Sequence, residues 1–221
     1  MDLNEKYQAI DHRGRQLLLR GGDIDPWLSD LEDDFRHGMS LIFTLPAHVS
    51  RNIGFALGKL REVEPDQYYY PAKDMHVTVI DLIKATPEYA LSTEQEQAYL
   101  TAVRQAVKKI APFRVSFQGL ITSGSAVMVK GLYQPGLAEL RQAVRHQVKA
   151  AGLQLQERYQ QTTAHVTVAR QQAPLVNTRR DLAVLDSLAE VALGTALVDQ
   201  VELVVHDWYN RQPRLLAKLE M

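Results

Sequence analysis

Two tetrapeptides in this 221-residue chain read His-Val-Thr-Val, His76 to Val79 and His165 to Val168. On an extended strand, side chains two positions apart share a face, so His76 and Thr78 point one way while Val77 and Val79 point the other, toward a core. The same alternation holds for His165 and Thr167. Packed about a pseudo-twofold axis, two such strands present a pair of imidazoles and a pair of hydroxyls across one cleft. Cleaving a phosphodiester without a metal needs a base for the attacking hydroxyl or water and an acid for the departing oxygen. Histidine, with an unperturbed pKa of about 6.5, suits both roles, and hydroxyls can hold phosphate oxygens as charge builds on them. Which histidine is acid and which is base is open at this level.

A single His on a half-buried strand is more often structural than catalytic, since Val and Thr favour strands anyway. The repetition changes that. The chain has seven His, and an identical tetrapeptide at matching places in two halves is hard to ascribe to strand propensity. Other chemistries lack their residues. There is no cysteine and no His-Glu-x-x-His helix, and two His with Thr make a poor divalent site, so neither metal nor cofactor is expected. No Gly-x-Ser-x-Gly elbow occurs, and "GLYQPG" is not a Walker loop.

The elements that must carry these residues are legible as periodicity. From Met39 onward, short apolar strands alternate with amphipathic helices without a long linker, as expected of one compact α+β body. Strands are expected at "MSLIFTLP", "QYYYP", both histidine motifs, "FRVSFQGL", "SGSAVMVKGL", "VDQVELVVHDW" and "RLLAKLEM". Helices are expected around Val49 to Leu60, Ala98 to Ile110, Leu137 to Val148 and Thr178 to Val191. Each half runs strand, helix, loop, His-Val-Thr-Val strand, helix, strand, and the His falls about forty residues after the opening strand in both, the mark of a duplicated unit. Residues 1–38 stand apart. They carry nine acids and five bases, a net of -4 against -1 for the whole chain, and read as a hairpin across "YQAIDHRGRQLLL" followed by an amphipathic helix across "DIDPWLSDLEDDF", with Asp25 as its cap and Pro26 in its first turn.

Bulk properties set limits on partners. A formal charge of -1 argues against a broad grip on long duplex nucleic acid, while leaving a small or terminal phosphate open. No apolar run approaches the ~18 residues of a membrane span, and "MDLNEKYQAI" lacks the pattern of a signal peptide, so a soluble, unprocessed protein is expected. The absence of cysteine makes a reducing cytoplasm the simplest compartment. Oligomeric state is not readable.

The paired His-x-Thr-x strands resemble those of the two-histidine (2H) phosphoesterase superfamily, which includes RNA 2',3'-cyclic phosphodiesterases, formerly called 2'-5' RNA ligases. The resemblance covers roughly residues 39–221 in element order, with sequence identity confined to the two motifs. It implies a bilobal, pseudo-twofold fold whose two mainly antiparallel sheets form a central cleft, with helices outside. It further implies that His76 and His165 are the acid-base pair and that Thr78 and Thr167 anchor the phosphate. Family members often place an arginine or tyrosine five residues after the second histidine, and Arg170 stands there. Strict alternation would turn Arg170 away from His165, so a ligand role requires the strand to end or twist at that point. The equivalent residue of the first motif, Asp81, reads as a surface or turn residue.

What the resemblance implies is opening of a nucleoside or RNA-terminal 2',3'-cyclic phosphate to a 2'-phosphate. A nucleotide-binding module that keeps the cleft without turnover is the alternative. The run Tyr68, Tyr69, Tyr70 could stack on bases, though packing is the ordinary use of each. No role is assigned to Tyr133, Tyr159, Trp208, His146 or His206. Lys149, Arg158, Arg179 and Arg180 are candidates for a basic rim.

Overall fold

The computed structural model describes residues 2–157 and 159–221. The described chain opens with helix α1 (Leu3–Leu18), where a hairpin is expected from the sequence. The local reason is a capping box: Asp2 and Glu5 each accept the other's backbone N–H, starting a helix that the Asp-His-Arg-Gly segment then continues. Gly14, which reads as a turn residue, is instead a point of close approach between the helix and the strand Phe113–Thr122. A Cβ there would run into the backbone carbonyl of Thr122. The second expected element also differs. Asp25 caps a single 3-10 turn, Pro26–Ser29, and no α-helix follows. Asp30 accepts the N–H groups of Glu32 and Asp33, and Asp34 that of Arg36, so side-chain carboxylates take the amides that a helix would need.

The remaining elements follow the expected alternation: β1 (His37–Thr44), α2 (Ala47–Val63), β2 (Tyr68–Tyr69), β3 (His76–Thr86), α3 (Thr93–Val107), β4 (Phe113–Thr122), β5 (Ala126–Tyr133), α4 (Pro135–Ala150), β6 (Val166–Arg170), α5 (Thr178–Leu188), β7 (Ala192–Val198), β8 (Gln200–Asp207) and β9 (Arg214–Glu220). They build one sheet in the order β3-β1-β8-β9 and another in the order β2-β6-β5-β4-β7, with every strand pair antiparallel. The halves interlock. The first half lends β2 and β4 to the second sheet, and the second half lends β8 and β9 to the first. Helix α2 packs on β7 and α5, whereas α4 packs on α3 and β3. Each connecting helix thus covers the other half's sheet, and one continuous apolar core runs through both.

The two motif strands carry the same irregularity. Thr78 pairs with Ile42, Ile80 with Leu41 and Asp81 with Ser40, leaving Val79 as an extra residue. Thr167 pairs with Met128, Ala169 with Val127 and Arg170 with Ala126, leaving Val168 as its counterpart. A bulge of one residue shifts the alternation by one, so Asp81 and Arg170 turn back toward the face that holds the histidines.

Arg141 ties the motif strands together. Its side chain is 2% exposed. Nε donates to the Val79 carbonyl at 2.6 Å, and Nη2 donates to the carbonyls of Thr78 at 3.1 Å and Thr163 at 2.6 Å. Arg141→Met should therefore leave three carbonyls without their donor and cost about 3 kcal/mol or more. Urea unfolding measures this; a loss below about 1 kcal/mol would show that the bridge is dispensable.

Candidate active site

The five residues singled out by the sequence, His76, Thr78, His165, Thr167 and Arg170, all line one cleft between the sheets, which encloses about 820 Å³ of space open to solvent. The two imidazoles are held differently. His76 Nδ1 lies 2.8 Å from the Asp74 carbonyl, which can only accept, so Nδ1 carries the proton and Nε2 of the neutral ring is an acceptor. His165 Nδ1 lies 2.8 Å from the Thr163 hydroxyl, which can donate, so Nε2 of that neutral ring can carry the proton. Burial pushes both imidazoles down from 6.5 to about 4. After burial, the Asp74 carbonyl pulls His76 up while His206 and His165 press it down, and Arg141 and Arg170 press His165 down. Both shifts favour the neutral form of each ring in the free cleft.

Arg170 reaches the cleft through the bulge and is clamped there. Its Nε donates to the Tyr70 hydroxyl at 2.9 Å, its Nη1 lies 3.7 Å from Asp25 Oδ2, and its guanidinium stands 5.6 Å from the Tyr209 ring centre. Asp25 belongs to the acidic segment at the start of the chain, which is stitched to the end of β6. The Asp25 N–H donates to the Gln171 carbonyl at 2.9 Å and the Asp23 N–H to Gln171 Oε1 at 2.9 Å. Helix α1 reaches the other end of the same strand. The buried Tyr7 hydroxyl accepts from the N–H groups of Gly131 and Ala164 and donates to the Gly131 carbonyl. The leader therefore contacts the backbone on both sides of the second motif.

Several cleft residues carry little signal in the sequence. Asp81 is no surface turn: it lies within β3, lines the cleft and shares a hydrogen bond of 2.9 Å with the Ser40 hydroxyl. The available clue was its place five residues after His76, matching Arg170. Ser40, Gln161 and His206 also line the cleft, with Tyr159 and Trp208 beside them. Of the tyrosine run, Tyr70 reaches the cleft, while Tyr69 points to the opposite side and donates to the Glu64 carbonyl. Tyr133 donates to the Thr162 carbonyl. His146, Lys149, Arg179 and Arg180 are exposed and do not line the cleft; Arg158 lies outside the described residues. Among the described residues no cluster suited to a metal ion occurs and no helix is long and apolar enough to cross a membrane.

The five helices and two antiparallel sheets form the LigT-like 2H phosphoesterase fold. The chain belongs to the 2'-5' RNA ligase superfamily, whose family model matches residues 47–210. Among solved structures it is similar to the Thermus thermophilus protein TT0787, with 20% identity, a TM-score of 0.62, and coverage of 84% of this chain and 97% of that one. Escherichia coli LigT complexed with 3'-AMP gives 18% identity, a TM-score of 0.59, and coverage of 84% and 98%. LigT complexed with ATP gives 16%, 0.57, 84% and 98%. At these identities the likeness is one of fold. No curated protein matches the chain.

The two part-buried imidazoles, held toward their neutral form, make stability depend on pH. Each folded-state pKa is depressed to about 4, so between that value and 6.5 the unfolded chain binds more protons. Their contribution is complete above about 6.5 and is lost as pH falls toward 4. It is at most about 3 kcal/mol per histidine, and less because each ring keeps an edge toward the cleft. Urea midpoints at pH 7 and 4.5 should fall less for His76→Asn and His165→Asn than for wild type. Equal falls would mean that burial does not hold the rings neutral.

Proposed function

We propose that the protein is a metal-independent phosphoesterase that opens a nucleoside or RNA-terminal 2',3'-cyclic phosphate, leaving a 2'-phosphate. The observation that carries this reading is the convergence of His76, Thr78, His165, Thr167 and Arg170 on one cleft. Binding of 3'-AMP and ATP by LigT, a relative in fold, supports a nucleotide-sized ligand.

The tautomers divide the labour. His76, with Nε2 available as an acceptor, takes a proton from water, whose oxygen attacks phosphorus. The bond from phosphorus to the 3' oxygen breaks, and His165 Nε2–H protonates that leaving oxygen. An anionic substrate between the rings raises the pKa of both, so His165 enters the step as imidazolium. The Thr163 hydroxyl suits this change because it can donate to the neutral ring and accept from the charged one. Thr78, Thr167 and Arg170 hold the non-bridging oxygens as charge gathers there. Afterwards His76 is protonated and His165 neutral, and exchange with solvent restores the pair.

Turnover of 2',3'-cyclic nucleotides and short RNAs with cyclic ends, measured in chelator, tests the reading. His76→Ala and His165→Ala should each lower kcat by about 10²-fold or more, and a bell-shaped pH profile should accompany wild-type activity. Binding of a nucleotide without any turnover would favour the non-catalytic module. Activity lost in chelator and restored by a divalent ion would overturn the metal-free mechanism.

A further inference from the structure

The pseudo-twofold places an acid where its twin has a cation. Asp81 and Arg170 follow equivalent bulges five residues after the two histidines, and both line the cleft. An ionised carboxylate at that place would oppose an anionic phosphoester at close range. The surrounding hydrogen bonds show how this is avoided.

Ser40 Oγ lies 2.9 Å from Asp81 Oδ1 and 2.8 Å from His206 Nε2, while His206 Nδ1 lies 2.7 Å from the Asp207 carbonyl. The carbonyl accepts only, so Nδ1 carries a proton. The serine hydroxyl has one proton for two neighbours. If it donates to Asp81, Nε2 must donate to the serine oxygen and His206 is an imidazolium. If it donates to Nε2, Asp81 must be protonated to donate in turn. Either way the three residues hold one proton more than an ionised carboxylate beside a neutral imidazole, and their net charge is zero. Without that proton, two lone pairs would face each other across a contact under 3 Å beside a serine that is 1% exposed.

We infer that Asp81, Ser40 and His206 share one proton at neutral pH, and that this shared proton lets the cleft accept an anionic phosphoester despite the carboxylate in its wall. The inference rests on the phosphoesterase reading for the identity of the anion, though not for the proton count. Burial presses the His206 ring below its ordinary value, against the Asp207 carbonyl and the charges of Asp81 and Asp207, so the proton count rests on the hydrogen-bond geometry. Other charges also face the trio. His37 and His76 lie beside His206, Asp207 is paired to Arg211 at 2.8 Å, Gln161 Nε2 approaches Asp81 Oδ2 at 3.5 Å, and Lys84 stands at the cleft margin. His206 touches the reacting pair only through the field: its ring centre is 6.5 Å from that of His76. It is a positioning residue for charge.

The experiment combines a charge-rescue pair with a direct proton count. His206→Gln removes the group that shares the proton and leaves Asp81 ionised, so the Kd for inorganic phosphate and the KM for a 2',3'-cyclic nucleotide should rise about tenfold. Adding Asp81→Asn to that variant should bring both back to within about twofold of wild type, and the KM should move more than kcat. A merely structural role predicts the opposite, a double variant no better than the single one, and that result overturns the proposal. Imidazole ¹⁵N and carboxyl ¹³C spectra of the wild-type protein at pH 7 read the proton independently. They should show either a doubly protonated His206 or a protonated Asp81; neutral His206 beside ionised Asp81 overturns the proposal even if both variants fail to fold. If the wild type neither binds phosphate nor turns over a cyclic nucleotide, the functional reading and the anion role both fail, and the spectra alone decide the shared proton.

Discussion

A single buried guanidinium holds the two halves in register. Arg141 comes from α4, which connects β5 to β6, yet it donates to two carbonyls of β3 and to one just ahead of His165. Its Nη1 has no hydrogen-bond partner, and its guanidinium lies 5.6 Å from the Tyr133 ring centre. The ion is therefore compensated by backbone dipoles and an aromatic face, a costly arrangement for any role other than fixing geometry. That geometry is the distance between the two His-Val-Thr-Val strands. Every proposed catalytic contact depends on it, because the strands belong to different sheets joined chiefly by packing.

The same cation helps set the chemistry. It lies near His165 and, with Arg170, disfavours a second positive charge there, while burial depresses both histidines. Both motif imidazoles therefore favour the neutral form in the free cleft. In the proposed reaction an anion entering the cleft supplies the charge that the site lacks, and protonation of a histidine accompanies its binding. Coupling the acid's protonation to substrate capture would keep the acidic form scarce in the empty protein, where it would serve no purpose.

The sequence disclosed what is periodic and repeated. His76, Thr78, His165 and Thr167 were legible because alternation fixes their face, and duplication argued for their use. The helices followed from their apolar spacing, as with Ala98, Ala102, Val103 and Ala106 along α3. What escaped was settled by contacts distant in sequence. Gly14 reads as a turn until β4 is seen to press against it. Trp27 to Phe35 has helical spacing, but Asp30 and Asp34 capture the amides. His206 and Ser40 show no motif, since their meaning comes from lying on neighbouring strands, with Ser40 directly opposite Asp81. The bulges at Val79 and Val168 fall between. Repetition of the tetrapeptide hinted that both strands share one local geometry, but only the pairing register shows the extra residue that turns Asp81 and Arg170 inward.

The broken symmetry at those two positions is the informative part of the duplication. Were both arginines, the cleft would hold two cations beside two histidines, and each imidazole would be harder to protonate when an acid was needed. Were both acids, it would repel phosphate. One arginine bound by Tyr70 and Asp25, opposite an acid tied through Ser40 to His206, gives one side a fixed positive charge and the other a network able to hold a proton. A symmetric backbone with an asymmetric charge pattern orients an asymmetric ligand. Under the proposed function, non-bridging phosphate oxygens would be drawn toward Arg170, and the less charged part of the substrate would be left to the side of Ser40, Asp81 and His206.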